Sequence, residues 1–112
     1  LLDWNEVICL EGVIGNYASN NGVYLPTGKL HKGKELFRKE GDQDIWLGYN
    51  LNGFWAVIWT HSIEENDNKA YITSSETGLG HPLLSALWKV PVEGQDGQWE
   101  NQGTIRCIKI EK

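Results

Sequence analysis

The chain of 112 residues has room for one domain and one core. Its 40% apolar content argues against disorder, and its longest apolar run, Phe54 to Trp59, is far short of the roughly 20 residues of a membrane helix. Fifteen acidic against ten basic residues give a formal charge of -5, which disfavours a nucleic-acid or membrane-surface partner, although Lys29, Lys32, Lys34, Arg38 and Lys39 cluster in one stretch.

Turn signals recur about every 8 to 14 residues, the rhythm of an all-β chain. A first strand is expected over Glu6 to Glu11. The glycine-bounded Gly12-Val13-Ile14-Gly15 and the polar Asn16 to Asn21 follow, and Asn21-Gly22 turns the chain into a short strand, Val23 to Leu25. Pro26-Thr27-Gly28 is expected to end it. Lys34 to Lys39 forms the next strand, with Leu36 on one face and Phe37 on the other. The clearest hairpin is Asp44 to Leu51 with Phe54 to Thr60 about Asn52-Gly53, a dipeptide favoured in a type I′ turn. A two-residue loop would pair Leu51 with Phe54, Tyr49 with Ala56 and Leu47 with Ile58. Trp46, Trp55 and Trp59 would then share the other face around Gly48, kept small by an overlying indole. Both faces are apolar, so the hairpin is central.

His61 to Asn68 reads as a hairpin loop. Lys69 to Ser74 is a strand, Ser75 to Ser85 a loop, and Ala86 to Val90 a short strand centred on Trp88. After a turn at Gly94 to Gln98, Trp99 packs back, and Thr104 to Ile110 closes the domain. The expected architecture is a small antiparallel barrel or compact sandwich of about seven to nine short strands, with Glu6 to Leu10 paired to Thr104 to Ile110. That pairing protects an edge and brings Cys9 near Cys107. Two readings of the cysteines stand: a disulfide in an oxidising compartment, or two reduced core residues. No Asn-x-Ser/Thr acceptor occurs, which points weakly to an intracellular setting. Methionine is absent even at position 1, as in a processed chain or a domain excised from a longer multidomain chain; the second is the expectation.

Catalytic patterns are missing. His31, His61 and His81 lie apart, without metal-ligand spacing. Ser74-Ser75 has no nucleophile elbow around it, Gly12 to Gly15 is too short for a phosphate loop, and Glu64 to Asp67 lacks the ligand alternation of a calcium loop. No catalytic residue, metal or cofactor is expected.

The aromatic surplus remains: six Trp, four Tyr and two Phe. Such rings fill a small core, stack on sugars or grip a partner. Trp4 and Trp99 have the most polar neighbours. With Tyr17, Tyr24 and His81 they are the candidate contact residues. The contact surface is expected at the loop set of Tyr17 to Asn21, Lys29 to Lys34 and Ser75 to Leu83, with Tyr24, Trp46 and Trp99 as ring contacts.

From Leu10 to Trp99 the chain resembles a module of large multidomain proteins of protists and algae. The resemblance rests on Glu11-Gly12-Val13-Ile14-Gly15, Asn21-Gly22-Val23-Tyr24-Leu25-Pro26-Thr27-Gly28, and Gly33 to Lys39. It continues through Trp46-Leu47-Gly48-Tyr49, Trp55 to Trp59, Pro82 and Trp88-Lys89-Val90. Phe37 stands at an aromatic position of the pattern, a small departure. The resemblance implies an accessory binding unit fused to other domains, with no catalytic residues to carry over. The expected function is a non-catalytic interaction module whose partner is a protein or a neighbouring domain. The alternative is a carbohydrate-binding module using exposed tryptophans.

Overall fold

A computed structural model describes residues 6–67 and 69–111. Nine strands form among the described residues: β1 (Ile8–Glu11), β2 (Gly22–His31), β3 (Lys34–Lys39), β4 (Ile45–Tyr49), β5 (Trp55–Trp59), β6 (Ile72–Ser74), β7 (Trp88–Pro91), β8 (Trp99–Asn101) and β9 (Arg106–Lys109). They make one antiparallel sheet in the order β8-β7-β6-β5-β4-β3-β2-β1-β9, curled into a half-barrel. A helix α1 (Thr60–Glu65) follows β5, and short 3-10 turns occupy Gly15–Asn20 and Pro82–Leu84.

The order is a meander with one addition, β9 beside β1. The first and last strands therefore pair as expected, with Ile8 opposite Lys109 and Leu10 opposite Cys107. Buried and less buried positions alternate along β1 and β7, whereas β6 is buried throughout and the edge strand β8 is exposed. Ile8, Leu10, Tyr24, Phe37, Leu47, Trp55, Val57, Ile72, Trp88, Val90 and Cys107 meet inside the curl. Such a layer supplies most of the stabilisation, since a fully buried large apolar side chain contributes about 1.5–3 kcal/mol. Both cysteines are free. Cys9 pairs with Ile108, one position out of step with Cys107, so the two thiols project from opposite faces of the sheet. The disulfide reading therefore fails, and only Cys107 is a core residue. Burial pushes its thiol up to about 12, which leaves it protonated and inert.

The central hairpin departs from its expected register by one residue. Tyr49 lies opposite Trp55, Leu47 opposite Val57 and Trp46 opposite Ile58. The cause is the side chain of Asn50. Its Oδ1 accepts from the N–H groups of Asn52 and Phe54, both at 3.0 Å. Asn50 and Phe54 then close a three-residue loop, through Asn50 N to Phe54 O at 2.9 Å. Gly53 alone takes positive φ, +85°, the geometry of a type I turn followed by a glycine bulge. Trp55 therefore faces inward and Trp46 outward, while Trp59, at the last position of β5, is left partly exposed. Leu36, not an indole, lies over Gly48; its Cδ1 would sit 2.9 Å from a Cβ there. Leu36, Gly48, Ala56 and Ile58 form a buried strip on the outer face, so the hairpin is covered on both sides.

The type I′ turn occurs elsewhere. His31 opposes Lys34, leaving a two-residue loop in which Lys32 (φ +53°) and Gly33 (φ +81°) are both left-handed. Strand β2 does not end at Pro26. It continues to His31 through a register shift between Pro26 and Leu30, a position where a proline is tolerated. Side chains satisfy the disturbed backbone there. Thr27 Oγ1 donates to Leu36 O at 2.7 Å, and the buried Glu35 accepts from Gly28 N at 2.9 Å.

The two edges of the sheet are joined by only residues 102–105, so the curl brings them together. Gln102 binds the seam. Its Oε1 accepts from Ile14 N at 2.9 Å and its Nε2 donates to Ile14 O at 3.4 Å. Thr104 Oγ1 donates to Gly12 O at 2.6 Å. The backbones approach closely here: a Cβ on Gly12 would lie 1.8 Å from Thr104 O.

Candidate functional site

The segment expected as a loop after β5 begins with α1. Trp59 keeps extended backbone, and the chain enters the helix at Thr60. The helix stops at Asn66, whose left-handed backbone (φ 56°) caps it through its N–H to Ile63 O. Asp67 Oδ1 then accepts from Lys69 N at 3.0 Å, which holds its carboxyl below the usual range. The chain rejoins the sheet through Tyr71 N to Val57 O at 2.9 Å. This excursion builds a cleft of ≈ 180 Å³ lined by Trp59, His61, Ser62, Lys69, Ala70 and Tyr71. Trp59 is 46% exposed, and its ring centroid lies 5.4 Å from that of His61. Both ring systems are thus presented at the end of the half-barrel.

Tyr71 also walls a second hollow of ≈ 280 Å³, whose other walls include Asn16, Tyr17, Asn20, Asp42 and Ile45. The Tyr17 and Tyr71 centroids are 6.3 Å apart, at 38°. Asn21 braces this wall: its Oδ1 accepts from Val13 N, and its Nδ2 donates to the carbonyls of Val13 and Ala18. Asn20 Nδ2 donates to Tyr17 O at 3.1 Å. The 3-10 turn that carries Tyr17 is therefore fixed by two consecutive asparagines. Two adjoining hollows with an aromatic partition, rimmed by amides, a carboxylate and an ammonium, suit a ligand with successive small units. A drug-sized pocket is larger, about 300–1,000 Å³. Among the described residues the first cleft has no carboxylate in its lining, although Asp67, on the return after α1, is close enough for His61 to act on its carboxyl.

The candidate residues disperse. Tyr17 lies at this mouth, half-buried. Tyr24 does not reach a surface: it is fully buried, its hydroxyl donates to Asn20 O at 2.7 Å, and its phenol is pushed far up by burial. It supports the mouth from below. His81 is 3% exposed and packs edge-on to Phe37, centroids 5.7 Å apart. It is a core side chain because the 75–87 loop folds inward over the open side of the curl. Trp99 is 36% exposed on the edge strand β8, and Lys89 Nζ lies 5.9 Å from its ring. Trp4 lies outside the described residues. Of the remaining indoles, Trp55 and Trp88 are fully buried and Trp46 is half-buried under Arg38.

The expected loop set also divides. Tyr17 to Asn21 adjoins the mouth, whereas Lys29 to Lys34 and Ser75 to Leu83 lie at the opposite end, where Gly78 N donates to Gly53 O. Sequence reasoning missed Trp59, His61, Lys69 and Tyr71. The only signal was Trp59 at the last position of a strand, and its exposure depended on the corrected register and on α1. Among the described residues no group of three His, Cys, Asp or Glu could hold a metal ion. No helix of the described residues is long and apolar enough to cross a membrane. No protein family, curated protein or solved structure matches the chain.

Proposed function

We propose that this domain is a non-catalytic binding module and that its contact surface is the aromatic mouth formed by Trp59, His61, Tyr71 and Tyr17. The observation that carries this reading is the exposure of Trp59 in a concave setting. A large indole held half in water by a helix and a braced return has no packing role that demands it. Rigid aromatic side chains in a hollow are what binding surfaces use as anchors, because they contribute area at little cost in conformational entropy. In keeping with the resemblance to accessory modules of multidomain proteins, the favoured partner is a protein segment or a neighbouring domain.

A carbohydrate is the second reading, and one observation favours it. Amide and carboxylate groups of Asn16, Asn20 and Asp42 share the hollow with Tyr17 and Tyr71, a combination that meets hydroxyls as well as ring faces. Among the described residues, the exposed indoles Trp59 and Trp99 do not stack on each other.

The test follows indole N–H resonances while glycans and candidate protein segments are titrated in. A true ligand shifts the Trp59 signal and leaves those of Trp55 and Trp88 in place. Trp59→Ala and Tyr71→Ala are each expected to weaken binding by at least tenfold, since hot-spot aromatics contribute about 2 kcal/mol or more. Binding that is unaffected by both substitutions refutes the assignment.

A further inference from the structure

The basic cluster noted in the sequence is divided by the fold. Arg38 stacks on Trp46, 4.8 Å from its ring, and the Lys39 side chain lies along Gly22, near the mouth. Lys29, Lys32 and Lys34 remain together at the β2–β3 turn, at the far end of the half-barrel. Leu30, between the first two, is 70% exposed. The same end carries Leu51, 60% exposed, on the neighbouring hairpin turn. Leu84, 54% exposed, lies in the loop that Gly78 ties to that turn. Lys34 Nζ lies 5.4 Å from the Tyr49 ring, and a Cβ on Gly48 would lie 3.5 Å from His31 Cδ2, so the first turn packs beside β4.

Two acidic groups near the β2–β3 turn are withdrawn. Glu35 is buried on Gly28 N, and Glu76 is turned into its own loop, accepting from Ala86 N at 2.9 Å. The exposed carboxylates Asp42, Asp44, Glu64 and Glu65 belong to the mouth end. Despite the formal charge of -5, the β2–β3 turn is therefore a basic tip that carries an exposed leucine.

We propose that the β2–β3 turn, with Leu30 at its tip and Lys29, Lys32 and Lys34 around it, docks on an anionic lipid surface. Lysine and leucine are under-represented at the hot spots of protein interfaces, which favour Trp, Tyr and Arg. They suit a lipid surface, where leucine enters the acyl boundary while lysine ammonium groups stay at the headgroups. The carboxylates of the mouth end are repelled by the same surface, so the mouth faces away and stays open. The inference is independent of what the mouth binds.

The test is cosedimentation of the 112-residue chain with phosphatidylcholine vesicles, with and without phosphatidylserine, at low and high salt. Binding is expected only with phosphatidylserine and is expected to weaken with salt. Leu30→Asp is expected to weaken it about tenfold. Lys29→Ala, and Lys32→Asn, which tolerates the left-handed backbone, are each expected to weaken it about fivefold. Near-ultraviolet circular dichroism confirms that the variants are folded. Absence of binding at low salt, equal binding to both vesicles, or indifference to all three substitutions overturns the proposal. Retention on immobilised poly-glutamate that depends on Leu30, without vesicle binding, also overturns it and assigns the end to an acidic protein.

Discussion

His81 lies in the core with its Nδ1 accepting from Leu83 N at 3.1 Å, so a neutral ring carries its proton on Nε2, a buried atom without a partner among the described residues. Burial holds its pKa below the ordinary 6.5, against a smaller opposite pull from the Glu6 carboxylate. His31 is lowered too, by burial and by Lys32. For a base depressed in the folded state, the unfolded chain takes up the proton first. Stability is therefore complete above the unfolded pKa and falls as pH drops below 6.5 toward the folded value. The urea midpoint is expected to decline over that window, and less steeply in His81→Gln, with the remaining slope due to His31. Glu76 acts in a lower window. Burial opposes its charge, but the Ala86 N–H, the Ser85 hydroxyl and the Leu87 N–H outweigh it and hold the carboxyl low. Its contribution disappears only as pH falls through the carboxylate range.

Among the elements, the β4–β5 hairpin shows how one polar side chain sets a register. A one-residue slip turns every side chain of a strand to the other face, and the Asn50 carboxamide selects between the two alignments. Asn50→Ala removes two acceptor bonds at a buried position and is expected to cost about 2 kcal/mol, measured as a shift of the urea midpoint. It is also expected to broaden the Trp59 indole resonance, because the competing register becomes accessible. The β2–β3 hairpin shows the converse. Its tight turn is stabilised by strand pairing on both sides, which tolerates Lys32 in a left-handed backbone. Propensity alone assigns that geometry to Asn52-Gly53, where the chain does not adopt it.

For the molecule as a whole, the curl ends in a seam held by side chains in place of a strand ladder. The Gln102 carboxamide stands in for a peptide group, accepting from and donating to the backbone of Ile14. Gln102→Ala is expected to cost about 1–2 kcal/mol. The larger effect is expected in hydrogen exchange: the Ile14 amide loses protection while Val57 and Leu47 in the central strands keep theirs. If the Ile14 amide exchanges equally fast in both proteins, the seam is not held in this way. The two ends of the half-barrel differ in shape, with a concave aromatic mouth at one and leucine-tipped turns at the other.

Local chemistry was enough to specify an all-β chain, most of its strands, the pairing of the first with the last and the central place of the β4–β5 hairpin. These follow from alternation and turn residues, which act over a few positions. The helix after Trp59 was not legible, because six residues are too few for a helical period to emerge from a polar stretch. Continuation of β2 through Pro26 was hidden for a different reason: Thr27 and Glu35 satisfy the bulged backbone across the strand pair. The candidate site was legible only at Tyr17. Exposure of a ring depends on what the rest of the sheet places above it. Trp88 and Trp59 both lie in apolar strands, yet one is enclosed by the curl and the other projects from its end. Tertiary structure alone decided that, through the register chosen by Asn50 and the closure made by Gln102.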